Sequence, residues 1–139
     1  AYTPLRDATA QWKHYRGGSN GRVWVYNTQT HDVAEVPQPK DRCNDLDPNW
    51  VGSTVYFRSD RNGEYNVFAY DADAKDVKQI TKFTDFPVVD INTDGRTLIL
   101  EQAGYLFLLT PGESEPKRLK VPVAADLVEA RPRFVKGAK

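Results

Sequence analysis

The sequence has no methionine, one cysteine, two histidines and no formal net charge over its 139 residues. Most of these scarcities exclude a chemistry. One cysteine, Cys43, allows neither an internal disulfide nor a cysteine metal site. With no base beside it in the sequence, it is expected to be a structural thiol rather than a nucleophile. His14 and His31 lie apart and lack a partner at metal-ligand spacing, so no metal-binding residue is expected. His14 is expected to pack beside Trp12 and neighbours such as Tyr56. Basic and acidic residues balance at 19 each, which argues against nucleic acid as the main partner, since phosphate binding needs a basic excess or patch. No apolar run reaches the ~18 residues of a membrane-crossing helix, and no membrane partner is expected. The N-terminus shows neither the charged nor the apolar region of a signal peptide. The expected location is the cytoplasm, or the periplasm should the full gene carry a signal peptide.

Signatures of catalysis are also missing. There is no Gly-x-Ser-x-Gly, and Ser19, Ser53, Ser59 and Ser114 fall in turns or at strand ends. Gly17-Gly18-Ser19-Asn20-Gly21 invites a phosphate-loop reading, but no helix follows it and no Lys-Ser/Thr pair follows its glycines. It is expected to be a hairpin connection. The chain is therefore expected to carry no catalytic residue and no cofactor-binding residue.

What the sequence does have is alternation. Residues 47–81 hold four short runs: one ending in Asn49-Trp50, then Thr54-Val55-Tyr56-Phe57, Asn66-Val67-Phe68-Ala69-Tyr70 and Val77-Lys78-Gln79-Ile80-Thr81. β-branched and aromatic residues dominate the runs, and turn residues separate them at Val51-Gly52-Ser53, Asp60-Arg61-Asn62-Gly63 and Asp71-Ala72-Asp73. Turns this short cannot hold crossover helices, so the runs form an antiparallel meander. Val67-Phe68-Ala69-Tyr70 recurs as Leu106-Phe107-Leu108-Leu109 and is preceded by Val23-Trp24-Val25-Tyr26. Fourth runs follow as Ala34-Glu35-Val36, Lys78-Gln79-Ile80 and Lys117-Arg118-Leu119. Second runs align as Trp12-Lys13-His14-Tyr15, Thr54-Val55-Tyr56-Phe57 and Thr97-Leu98-Ile99-Leu100. A period of about 40 residues with four strands per unit is the signature of β-propeller blades. The expected fold is all-β, with about three four-stranded antiparallel blades at about 1–36, 43–81 and 86–121. An extended or short helical arm follows at 122–139.

In the first unit, strands are expected at 12–16, 22–26 and 33–36, with the innermost strand supplied by residues 1–8 or from outside the chain. Residues 37–42, with two prolines, and 82–87 are the expected crossings between blades. Val88-Val89-Asp90-Ile91 is the inner strand of the third unit, and Asn92-Thr93-Asp94-Gly95-Arg96 is its hairpin turn. Lys117-Arg118-Leu119-Lys120 reads as a solvated, edge-protecting face. Asp45, Asp47, Asp60, Asp71 and Asp73 crowd the central unit. Asp71-x-Asp73 lacks the continuation of a calcium loop, so these residues are expected to be turn formers bonded to their own backbone. Asp60 and Arg61 are expected to tie the outer hairpin together. Trp24, Phe57, Phe68, Tyr70 and Phe107 are expected between stacked sheets.

Several of these residues resemble a known repeat. Asp47-Pro48-Asn49-Trp50, Phe57-Arg58-Ser59-Asp60-Arg61-Asn62-Gly63 and Val67-Phe68-Ala69-Tyr70-Asp71 look like the repeat of TolB-type six-bladed propellers. Asn92-Thr93-Asp94-Gly95-Arg96 is similar to that repeat's Pro-Asp-Gly-Lys hairpin, without the proline. More narrowly, the chain resembles tricorn-type proteases over about residues 5–135. That resemblance rests on Trp12-Lys13-His14-Tyr15-Arg16-Gly17-Gly18, Val23-Trp24, Tyr56-Phe57, Phe83-Thr84-Asp85-Phe86, Asn92-Thr93-Asp94-Gly95-Arg96 and Leu127-Val128-Glu129-Ala130-Arg131-Pro132-Arg133. It implies the second half of a six-bladed propeller and the start of the linker behind it, within a large serine peptidase. The catalytic core has no counterpart in this chain. The implied role is a non-catalytic scaffold that admits or sorts peptides. The alternative is a TolB-like module for protein–protein interaction.

Three blades cannot close a ring, and repeat units need neighbours on both sides. The expected partner is a second copy of the chain, joined through the terminal blade faces into a six-bladed ring, or else a complementary fragment.

Overall fold

A computed structural model of the chain describes residues 1–4, 14–113, 115–125, 130–135 and 137. Ten strands follow one another: β1 (Trp24–Tyr26), β2 (Val33–Glu35), β3 (Asp45–Val51), β4 (Thr54–Ser59), β5 (Asn66–Asp71), β6 (Asp76–Gln79), β7 (Val88–Thr93), β8 (Leu98–Gln102), β9 (Tyr105–Leu109) and β10 (Lys117–Arg118). No α-helix occurs among the described residues. Two four-stranded antiparallel meanders run β3-β4-β5-β6 and β7-β8-β9-β10, and β1 pairs with β2 alone. The fold is all-β, as the alternation requires.

Period two decides what each sheet buries. In the central sheet Val55, Phe57, Phe68 and Tyr70 face the first unit, where they meet Val23 and Val36. Tyr56 and Val67 face the third sheet, where they meet Val88, Ile91, Leu98, Leu100 and Leu109. A sheet buried on both faces gives up its polar alternation, which is why β4 and β5 read as almost continuous apolar runs. The inner strands β3 and β7 lie beside each other, joined by Asn49 Nδ2 donating to the Ile91 carbonyl at 3.3 Å. Both carry a bulge near their start, between Leu46 and Asn49 in β3 and between Val88 and Asp90 in β7. Pro48 sits in the first bulge, where its missing N–H costs no ladder bond. Tight turns close the meanders. At the β8–β9 turn, Ala103 and Gly104 are both left-handed, at φ 52° and 75°, as a two-residue hairpin demands.

The first unit departs from expectation. Of the strand expected at 12–16, residues 12 and 13 lie outside the described residues, and His14, Tyr15 and Arg16 are not in a strand. Tyr2 stands in the second strand's place: it exchanges both backbone hydrogen bonds with Trp24 at 2.8 Å and sets its ring edge-on to the indole. Residues 1–4 therefore do not supply an innermost strand, and 5–8 lie outside the described residues. Among the described residues, 17–21 join no strand to β1, because His14 to Arg16 just before them are not in a strand. Backbone pairing explains the substitution: the Trp24 N–H and C=O point away from β2, and Tyr2 satisfies both. The fourth strand of the third unit is also shorter than expected, ending at Arg118. Residues 119–125 and 131–135 form neither strand nor helix, and 126–129 lie outside the described residues.

Candidate functional site

Connector 37–44, the β4–β5 turn and residues 14–21 converge at one end of the layer between the first unit and the central sheet. Two carboxylates are fully buried there, Asp45 and Asp60. A buried carboxylate is tolerable only when its oxygens meet donors, and every oxygen of both does.

Asp45 opens β3 and holds Arg61, whose Nη2 donates to Oδ1 at 2.9 Å and to Oδ2 at 3.0 Å. Gln38 Nε2 adds a bond at 3.2 Å, and the Cys43 thiol donates to Oδ1 at 3.3 Å. The Arg61 guanidinium lies over the Phe57 and Phe68 rings at 5.2 and 5.1 Å, so its charge has a carboxylate on one side and π faces on the other. Ser59 Oγ fixes the start of this side chain by accepting from the Arg61 N–H and Nε. Asp60 takes the neighbouring position. It accepts from the Asn44 N–H at 2.7 Å, from Asn44 Nδ2 at 3.0 Å and from Arg16 Nη1 at 2.6 Å. His14 Nδ1 lies 3.6 Å from the same carboxylate, and His14 Nε2 lies 3.7 Å from Glu64.

Neutral amides complete the cluster. Asn20 Nδ2 donates to the Cys43 carbonyl at 2.6 Å and to Gln38 Oε1 at 2.9 Å. The Gly21 N–H donates to Asn44 Oδ1 at 3.2 Å. Gly21 allows the close approach, because a Cβ there would stand 2.6 Å from the Leu46 side chain and 3.0 Å from the Asp45 carbonyl, and the leucine would have to shift. Burial first, and the Asp45 carboxylate second, push the Cys43 thiol up to about 12. It is a neutral donor inside the cluster, as expected of a structural thiol.

Several residues differ from their expected roles. His14 does not pack against Tyr56; it lies between two carboxylates, and Trp12 is outside the described residues. Asp45 and Asp60 are not turn formers bonded to their own backbone; each clamps the central sheet to the chain before it. Asp47 pairs with Arg58 instead of closing a turn. Asp71 does act as expected, accepting from the Asp73 and Ala74 N–H groups. Arg61 and Asp60 do tie their hairpin, through Ser59 Oγ and the Gly63 N–H, and their side chains also reach outward to Asp45 and to Arg16 and Asn44. Sequence reasoning missed Arg16, Gln38 and Asn44 altogether. The available signal was the adjacent opposite charges of Asp60-Arg61 in a turn flanked by apolar runs.

For chemistry, the cluster offers binding and clamping. Ser59 is spent on Arg61, Ser19 and Ser53 are exposed in turns, and Ser114 lies outside the described residues. Among the described residues no three His, Cys, Asp or Glu side chains converge as a metal site. No helix of the described residues is long and apolar enough to cross a membrane.

The family model of the tricorn protease N-terminal β-propeller domain matches residues 1–115. The chain belongs to that family. It is 29% identical over 129 residues to a tricorn protease homolog of Saccharolobus solfataricus, covering 89% of this chain and 11% of that protein. To the tricorn protease of Thermoplasma acidophilum it is 27% identical, covering 79% of this chain and 10% of the relative. To tricorn protease homolog 1 of Streptomyces coelicolor it is 28% identical, covering 98% and 13%. Among solved structures, the crystal structure of the tricorn protease superposes with a TM-score of 0.66 at 27% identity, over 81% of this chain and 11% of that one. The chain thus spans about a tenth of the length of these relatives.

Proposed function

We propose that this chain is a non-catalytic propeller segment of a tricorn-like serine peptidase, acting as a scaffold and as an element that admits or sorts peptides. It does so as part of a ring completed by further blades. One observation carries the reading: the central sheet is covered on both faces, whereas each terminal sheet keeps an apolar outer face. On the third sheet Ile99, Leu106 and Leu108 share the face opposite Leu98, Leu100 and Leu109, because Ile99 pairs with Leu108 and Glu101 with Leu106. On the first unit Tyr26 and Val33 pair across the sheet and stand 44% and 51% exposed. Exposed apolar faces of this kind mark association sites.

In the isolated chain these faces meet each other, two copies closing one six-bladed ring with two-fold symmetry. The test is the solution mass by light scattering over a concentration series, together with a peptidase assay on the same sample. A mass of two chains with no peptide turnover is the expected result. A single-chain mass that persists at high concentration with a cooperative melt would overturn ring closure. Peptide turnover by the pure chain would overturn the non-catalytic role.

A further inference from the structure

Residues 14–19 are attached to the sheets in an unusual way. None of them belongs to either apolar cluster. Polar anchors hold them: Arg16 Nη1 to Asp60 Oδ2 at 2.6 Å and Nη2 to the Asp60 carbonyl at 3.4 Å, Asn44 Nδ2 to the Tyr15 carbonyl at 2.8 Å, and Arg42 Nη1 to the Arg16 carbonyl at 3.4 Å. Two of the residues involved are held left-handed, His14 at φ 59° and Arg42 at φ 58°, a conformation that stores strain in residues with a Cβ. Next in sequence the attachment changes character. Asn20 and Gly21 are buried and pinned to Cys43, Asn44 and Asp45. Between the two regimes lie Gly17 and Gly18. Gly17 faces the Tyr15 ring so closely that a Cβ would stand 2.0 Å from Tyr15 Oη, while Gly18 has open space around it.

We propose that residues 14–19 form a strap, latched over the junction of the first unit and the central sheet by the Arg16–Asp60 pair and hinged at Gly17-Gly18. The strap opens without unmaking either sheet. Segments with few buried apolar contacts and mainly polar anchors open locally, at free energies well below global unfolding. The latch joins a guanidinium to a carboxylate, and the carboxylate is fully buried while the guanidinium is 35% exposed. Release therefore returns Arg16 to water at little cost, and the barrier to opening is the removal of the guanidinium from the buried Asp60 carboxylate. An open strap uncovers Asp60 and Asn44 at the connector end of the junction.

The experiment is limited trypsin digestion of the full chain, with the fragments followed by mass spectrometry. Trypsin must draw the Arg16 side chain into its own pocket to cut before Gly17, and the latch withholds that side chain. Asp60→Asn keeps an oxygen for the Asn44 N–H but removes the charge. Arg16→Lys keeps a cleavable residue but loses the forked donor. Both variants are expected to be cut before Gly17 about tenfold faster or more than the parent chain, with the bonds after Arg58 and Arg61 still intact. Equal rates in parent and Arg16→Lys overturn the latch. Cleavage after Arg58 and Arg61 that accelerates in step overturns the independent strap. Should Asp60→Asn fail to fold, Arg16→Lys alone decides.

Discussion

Between the first unit and the central sheet, Val23, Val36, Val55, Phe57, Phe68 and Tyr70 form one apolar layer. Between the central and third sheets, Tyr56, Val67, Val88, Ile91, Leu98, Leu100 and Leu109 form another. The layers are alike, and the polar ends that pin their connectors are not. Connector 37–44 is fixed by two buried carboxylates and two arginines. Connector 82–87 is held by buried neutral side chains. Asn66 Nδ2 donates to the Phe83 carbonyl at 2.9 Å, and Asn66 Oδ1 accepts from the Phe83 N–H and the Thr81 hydroxyl at 2.8 Å each. Gln102 Nε2 donates to Asp85 and to the Phe86 carbonyl. Asn66, Thr81 and Gln102 are buried too, though not quite as fully as the carboxylates. Apart from Asn20 Oδ1, both arrangements satisfy their buried polar atoms, but a buried charge that loses its partner costs far more than a buried amide that does. The first junction is therefore the more brittle of the two.

The largest effect is expected from Asp45→Ala. It leaves the Arg61 guanidinium, 11% exposed, over two phenylalanine rings without its carboxylate. The expected loss is about 3–5 kcal/mol, read as a shift of the denaturant midpoint at unchanged slope. Replacing the whole pair, Asp45→Leu with Arg61→Met, should restore most of the loss, because the penalty comes from the stranded charge. A double variant as unstable as Asp45→Ala would remove the distinction between the junctions. Cys43 supplies a second readout. Buried and neutral, it should react with a thiol reagent near neutral pH only when this junction opens, and Asp45→Ala should speed that reaction.

At the second junction, Leu100→Ala should cost about 2–5 kcal/mol, the transfer term plus a cavity at a fully buried site. Asn66→Ala should cost about 1–3 kcal/mol, the cost of leaving the Phe83 N–H and the Thr81 hydroxyl unpaired. Thermal or denaturant melts measure both. An Asn66→Ala loss larger than that of Asp45→Ala would reverse the order of brittleness.

Sequence reading succeeded where one local pattern decides the structure. β4, β5 and β9 announce themselves as β-branched, aromatic and aliphatic runs between turn residues, and each sits where that pattern puts it. Reading failed where the deciding contact comes from a distant segment. Trp12-Lys13-His14-Tyr15 alternates like a strand, yet the edge of β1 is taken by Tyr2, and His14 to Arg16 are drawn to Asp60 and Asn44 instead. Asp60 in a Ser-Asp-Arg-Asn-Gly turn looks like any turn former. Only the fold brings Arg16 to it across 44 positions. The site was hidden because turn aspartates and clamp aspartates share the same local sequence chemistry.

The smallest expected effect lies outside both junctions and tests whether they transmit anything. Asp71 closes the β5–β6 turn of the central sheet, and Asp94 the β7–β8 turn of the third. Bonds from the Ala74 and Asp73 N–H groups hold the Asp71 carboxyl below its ordinary value, and bonds from Thr97 and Arg96 do the same for Asp94. A carboxyl whose folded value is depressed binds protons less readily in the folded than in the unfolded chain. Its contribution is complete above the ordinary value of about 3.9, declines as pH falls through the folded value, and vanishes below that. Asp71→Asn and Asp94→Asn keep an acceptor oxygen but do not titrate. Midpoints measured from about pH 5 to about pH 2 should therefore fall less in each variant than in the parent, the curves converging at the acid end. Equal acid slopes in parent and variants would mean that these turns do not hold their carboxylates low. Because the two turns sit on different sheets and share no partner, the losses should add in the double variant. A departure from additivity would show that the amide-pinned junction couples the sheets. The tolerance expected of it would then have to be assigned to its apolar layer alone.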